Sequence, residues 1–217
     1  MSQDIWTAVD KFLTDTLLQP DPVLDAALAD SQAGGLPAIN VAPNQGKLLM
    51  LLAQTAGARR ILEIGTLGGY STIWLARALP ADGRLTTLEY APKHAGVARS
   101  NIARAGFAAQ VEVKVGAAID ILPTLEGPFD FIFIDADKAG YPDYFRWAVK
   151  LSRPGAVIVT DNMVRAGKIL DPQRDEMAEG VRQMMELVAR EPRVSATAVQ
   201  TVGSKGWDGF CLIRVER

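Results

Sequence analysis

The chain has 217 residues, 48% apolar and 22% charged, with a formal net charge of −2. That length and balance suit one soluble domain with one good core, and the near-neutral charge excludes a broad nucleic-acid footprint. The single cysteine, Cys211, excludes an internal disulfide and favours a cytoplasmic compartment. No stretch approaches the roughly 18 to 20 apolar residues of a membrane span. The opening MSQDIWTAVDKF has neither the basic nor the apolar region of a secretory signal.

Ile5, Val9, Phe12, Leu13 and Leu17 recur at helical spacing, which predicts a helix over 4–19. A second is expected over 22–30, with Pro22 near its start, and a third over 44–57, ended by Gly57. The rhythm then changes. RILEI (60–64), RLTTLE (84–89), VEVKV (111–115), FDFIFID (129–135) and AVIVT (156–160) are short apolar or β-branched runs. Helical segments near 70–79, 92–105, 117–122 and 141–151 separate them. Strands alternating with helices predict a parallel sheet with helices on both faces, and runs as continuously apolar as FIFI suit a sheet buried on both sides. A polar loop, RAGKILDPQRDE, precedes a helix expected near 175–190. RVSATAVQTV (193–202) and GFCLIRVE (209–216) close the chain as a hairpin, one strand of which runs antiparallel to the rest.

The first run ends in ILEIGTLGGYS. Gly65, Gly68 and Gly69 follow a strand and precede a helix, so the backbone there can take positive φ and come close to a ligand. Glu89, at the tip of the second strand, stands where an acid commonly binds the hydroxyls of an adenosine ribose. The spacing G-x-x-G-G, with Glu63 two residues ahead, is not the G-x-G-x-x-G of a dinucleotide site. Glu63 would repel a pyrophosphate and suits a cationic ligand, such as the amino group and sulfonium of S-adenosylmethionine. A tight turn in an unrelated α/β protein is the plain alternative.

The chain resembles the class I S-adenosylmethionine-dependent methyltransferases, and more narrowly the cation-dependent O-methyltransferases of the caffeoyl-CoA and catechol type. The stretches that carry the resemblance are APNQGKLLMLL (42–52), LEIGTLGGYST (62–72), LEY (88–90), VGAAIDILP (115–123), FDFIFIDADKAGYPDYF (129–145), IVTDN (158–162) and GWDGFCL (206–212). It implies a Rossmann-like α/β fold over 1–217, with a seven-stranded, mostly parallel sheet and one antiparallel strand. Residues 1–40 would form an N-terminal helical extension that helps make the substrate region. It also implies that Glu63 and Gly65 line the methionine end of the cofactor, and that Thr66, Gly69, Tyr90 and Asp135 are among the residues that bind it. Ser71 would contact the cofactor's carboxylate region, Glu89 the ribose hydroxyls, and Gly116, Ala117 and Ala118 would lie against the adenine. Val41 would touch the cofactor from before the first core strand.

Asp135 closes the fourth strand and Asp161–Asn162 the fifth. On the carboxyl edge of a parallel sheet these side chains can converge, since neighbouring strands lie about 4.8 Å apart. Two carboxylates and an amide oxygen make a hard donor set for Mg²⁺, Mn²⁺ or Ca²⁺, and the resemblance assigns the same three residues to the metal. Such an ion would acidify a catechol and orient one of its oxygens toward the methyl donor. Lys138 would take the phenolic proton or stabilise the phenolate, or else pair with Asp135 or Asp137. Asp137 reads as structural. Tyr141 and Trp207 are candidate walls for a planar ring, and Arg165 a candidate contact for an acidic substituent. His94, the only histidine, reads as a solvated surface residue, which leaves no Ser-His-Asp or Cys-His catalysis to consider.

Residues 1–46 hold one basic residue, Lys11, and six aspartates. That charge should repel a CoA tail, so the expected substrate is a small catechol-like phenol. The resemblance implies a homodimer. The alternatives are an NAD-dependent oxidoreductase and a catalytically inert cofactor-binding protein.

Overall fold

The computed structural model describes residues 2–171 and 175–217. The N-terminal helices are α1 (Gln3–Leu17), α2 (Pro22–Ala33) and α3 (Pro43–Thr55). Then follow β1 (Arg60–Ile64), α4 (Tyr70–Ala76), β2 (Arg84–Glu89), α5 (Pro92–Arg104), β3 (Val111–Val115), α6 (Ala118–Ile121), β4 (Phe129–Ile134), α7 (Tyr141–Leu151) and β5 (Ser152–Asp161). The chain ends with α8 (Glu176–Arg190), β6 (Val194–Gly203) and β7 (Gly206–Val215).

The seven strands form one sheet in the order β3-β2-β1-β4-β5-β7-β6. The first five are parallel, and β7 is antiparallel to both β5 and β6. The expected architecture is therefore present, with boundaries shifted for local reasons. Pro123 stops α6 early and turns the chain into a short 3-10 segment, Leu122–Thr124. β5 starts earlier than its apolar run, across a register shift opposite Phe129–Phe131. The polar loop contains a 3-10 turn, Arg165–Leu170, and its stretch 172–174 lies outside the described residues.

Alternation along the strands splits the core in two. Leu62, Ile64, Ile132, Ile134 and Ile158 pack with α7 and α8. Ile61, Leu85, Phe131, Phe133 and Val159 pack with α2 to α5. All six residues of β4 are buried, as a central strand covered on both faces requires. Full burial of each phenylalanine contributes about 2 kcal/mol. At the amino end, Asp130 accepts from the Arg59 and Arg60 amides, both at 2.8 Å, and from Arg153, tying the strand starts together. Among the described residues no helix is long and apolar enough to cross a membrane.

Candidate active site

The same alternation locates the site. Glu63, Glu89, Asp135 and Asp161 each lie an even number of residues beyond a side chain that faces α2 to α5. All four therefore project to that face, at the carboxyl edge. Four neighbouring strands, β2, β1, β4 and β5, each deliver one acid.

Glu63 is fully buried. Ser71 and Thr72 from α4 and Thr87 from β2 donate hydroxyl hydrogen bonds to it at 2.6, 2.5 and 2.7 Å. Burial, only partly offset by these donors, pushes its carboxyl up to about 7. Because the folded value exceeds the unfolded one, Glu63 favours folding at low pH, and that contribution is lost as pH rises through about 7. A shift of this size corresponds to about 3 kcal/mol. Denaturant unfolding at pH 5 and pH 8 is expected to show the protein less stable at pH 8, and Glu63→Gln is expected to reduce the difference, the likewise raised Asp161 carboxyl supplying part of the remainder. An unchanged slope would remove Glu63 as its source.

Gly65 takes φ +103, and a Cβ there would lie 2.1 Å from the Asp135 carbonyl oxygen, so the loop passes directly against the end of β4. Gly69 takes φ +84 at the start of α4. Glu89 fastens this loop to β2. One of its oxygens accepts from the Thr66 and Leu67 amides at 3.2 and 2.8 Å, the other from the Ala91 amide at 2.9 Å. That second oxygen also meets His94 Nδ1 at 3.2 Å. His94 is thus not a solvated surface residue: the first turn of α5 returns its ring to the strand tip. Val41 is buried, Gly116, Ala117 and Ala118 are half-buried, and Tyr90 is exposed.

Past β4, the Asp137 carboxylate accepts from the Gly140 amide at 2.9 Å and from the Tyr144 hydroxyl at 2.5 Å, the structural role expected of it. Lys138 is buried. Its Nζ donates to Asp135 Oδ1 at 2.8 Å and to the Ala136 carbonyl at 2.9 Å, and lies 4.8 Å from the Tyr141 ring centre. Tyr141 requires a correction, because its ring has no exposure and is not an open wall for a substrate. Its hydroxyl donates to the carbonyls of Ile134 and Asp161 at 3.1 and 3.0 Å. Tyr141 thereby clamps the end of β4 to the end of β5.

Ile134 pairs with Thr160, so Asp135 and Asp161 occupy the next adjacent positions. Burial first, and the charge of Asp135 second, raise the Asp161 carboxyl, while the Asn162 amide and Gln45 from α3 oppose the rise. Asn162 follows with φ +58. Among the described residues no three His, Cys, Asp or Glu side chains form a metal cluster; the Asn162 side-chain Nδ2 donates to Asp208 Oδ2 at 3.2 Å. Trp207 is partly exposed, donates to Gln200 Oε1 at 3.0 Å, and packs over Gly167 in the loop after Asn162. The Arg165 guanidinium turns toward the start of α8, 3.3 Å from Met177 Sδ and 3.9 Å from Asp175, and its Nε is buried without a hydrogen-bond partner. Sequence reasoning missed Gln45, Thr72, Thr87 and Asp208. Thr72 and Thr87 had a faint signal, as polar residues in apolar surroundings; Gln45 and Asp208 lay inside APNQGKLLMLL and GWDGFCL, with nothing to single them out there.

A parallel sheet in this order, with a glycine loop after β1 and an acid ending β2, is the class I methyltransferase fold. The model of the O-methyltransferase family matches residues 23–215, and the chain belongs to that family. A catechol O-methyltransferase of Mycobacterium tuberculosis is 57% identical over 208 residues, which cover 95% of this chain and 94% of that protein. One from Niastella koreensis is 52% identical over the full length of both. Among solved structures, an O-methyltransferase from Bacillus cereus in complex with SAH superposes with a TM-score of 0.97 at 55% identity, covering 99% of this chain and 100% of that one. Membership of a methyl-transferring family sets aside the oxidoreductase and the inert binding protein.

Proposed function

We propose that this enzyme moves the methyl group of S-adenosylmethionine to one hydroxyl of a small catechol-like phenol, with a divalent cation, magnesium before manganese or calcium, held by Asp135, Asp161 and Asn162. The observation that carries the reading is the buried Asp161 carboxylate set beside that of Asp135 at the end of the sheet. Two like charges in a buried site are costly unless a cation is shared between them, and hard oxygen donors suit these ions. When bound, such an ion lowers the pKa of a catechol hydroxyl and engages both vicinal oxygens. The names of the two catechol O-methyltransferase relatives support the substrate class, and the complex of the Bacillus cereus relative with SAH supports the methyl donor.

The other proposed roles fall to residues around the loop and the strand ends. Gly65, Thr66 and Gly69 let the cofactor's methionine end approach the backbone, above Glu63 and Ser71. Glu89 and Tyr90 serve the ribose, Gly116 to Ala118 the adenine, and Val41 the cofactor's outer side. Lys138 rests against a carboxylate, a carbonyl and a ring face, surroundings that complement an ammonium; we assign it to stabilising the phenolate. Trp207 flanks the substrate.

The N-terminal segment is tied to the hairpin that carries Trp207. Gln3 donates to the Gly203 carbonyl, Asp10 accepts from the Ser204 amide, and Lys205 donates to the Ala38 carbonyl. These ties support a share for residues 1–40 in the substrate region. Yet α1 buries none of its residues, and Ile5, Val9, Phe12 and Leu17 are exposed. An apolar stripe of that kind supports a homodimer. The lone buried cysteine suits the reducing cytoplasm.

Methyl transfer to catechol, measured before and after treatment with EDTA, tests the reading. Activity is expected to vanish with the chelator and return with Mg²⁺. Full activity after thorough metal removal would refute the cation's part, and no transfer to any catechol would refute the substrate class.

A further inference from the structure

Asp208, on β7, gathers four donors. Its Oδ1 accepts from the backbone amides of Val164, Arg165 and Gly209 at 2.9, 3.0 and 2.9 Å. Its Oδ2 accepts from the side-chain Nδ2 of Asn162 at 3.2 Å. The two oxygens therefore act on different things. One holds the backbone of a turn in which Asn162, Arg165 and Ala166 take φ of +58, +54 and +54. The other holds the amide of a residue next to Asp161.

An asparagine amide has a donor end and an acceptor end. Any such amide that reaches a pair of carboxylates lowers its energy by turning the donor end toward them. That orientation would present N–H groups to any cation the carboxylates hold. A carboxylate oxygen only accepts, so Asp208 draws the Asn162 nitrogen to itself and leaves the oxygen as the end the amide offers elsewhere.

We propose that Asp208 is a positioning residue that selects the amide orientation of Asn162 and so makes it a cation ligand, an inference that rests on the cation reading above. It differs from a general loop anchor in one consequence. If residue 162 carried a carboxylate, both of its ends would be oxygens, and orientation would no longer matter.

Direct Mn²⁺ binding, measured by the electron paramagnetic resonance of the free ion, separates the cases without relying on turnover. Asp208→Asn keeps one oxygen for the backbone amides but can turn a second amide nitrogen toward Asn162. It is expected to weaken Mn²⁺ binding about 10- to 100-fold, the usual cost of removing a partner that orients a metal ligand. In an Asn162→Asp background the same change is expected to alter affinity by less than about threefold, because the coupling partner is gone. Should Asp208→Asn fail to fold, Asp208→Ser, which keeps a hydroxyl acceptor, takes its place in both backgrounds. Equal losses in the two backgrounds, or no loss in either, would overturn the proposal. If the unsubstituted enzyme does not bind Mn²⁺, the cation reading fails, and this inference fails with it.

Discussion

Asp161→Asn is expected to fold normally and to lose at least about a hundredfold in kcat/KM with catechol, the scale found when one charge-stabilising group is removed from a preorganised site. The substitution is close in shape. An asparagine oxygen can still accept the Asn162 amide that Asp161 Oδ1 accepts at 2.8 Å. What disappears is a negative charge beside Asp135, and with it half of the anionic part of the proposed cation site. The same charge is a burden on the fold, because it is buried and faces a like charge. Thermal stability should therefore be unchanged or higher while activity falls, the trade-off expected where function works against stability. Steady-state kinetics at saturating Mg²⁺, paired with thermal unfolding, checks both halves. Near-normal activity would remove Asp161 from the site; a large fall in stability would recast it as a structural residue.

Gly65→Ala is expected to cost roughly 3 kcal/mol or more, the size reserved for backbone strain combined with overpacking. Two penalties add at this position. The residue has φ +103, which side-chain-bearing residues avoid, and the new methyl would lie 2.1 Å from the Asp135 carbonyl oxygen, inside any allowed contact. A backbone carbonyl cannot swing aside as the end of a flexible side chain can, so β1 and β4 must separate at the edge where the acids converge. For a protein of this size, such a loss lowers Tm by about 6 to 12 °C. Gly57→Ala is the internal control. It also replaces a positive-φ glycine, φ +62, but its Cβ meets nothing within 4 Å, so it should cost only about 1 kcal/mol. Equal effects at the two positions would show that strain, not the close approach of loop and strand, governs Gly65.

The sheet was legible from periodicity. A strand covered on both faces needs an unbroken apolar run, and FIFI became the fully buried β4. The strand-end acids were legible for a related reason. In a parallel sheet every strand finishes on one edge, so acids that close separate runs must approach one another. Which face the side chains take was not legible, because strands apolar on both sides carry no one-sided pattern; packing against α2 to α5 placed Glu63, Glu89, Asp135 and Asp161 together. Local rules also gave Asp137 its structural role.

Other features depended on partners far along the chain. Tyr141 sits in an aromatic-rich segment that reads equally as core or ligand wall. It became a clamp because its hydroxyl arrives at the carbonyls of both Ile134 and Asp161, on neighbouring strands. His94 lies after a proline on a helix with a polar face, and only the path of α5 brings it to Glu89. Asp208 reads as a hairpin aspartate before glycine, yet its Oδ2 binds a side chain 46 residues earlier. The apolar stripe of α1 predicted a helix correctly but not that the stripe would remain exposed. Periodicity records which face of an element is apolar, because that follows from the geometry of one element. Which polar groups meet, and what covers an apolar face, follows from the packing of several elements, and that was decided only when the sheet closed around its helices.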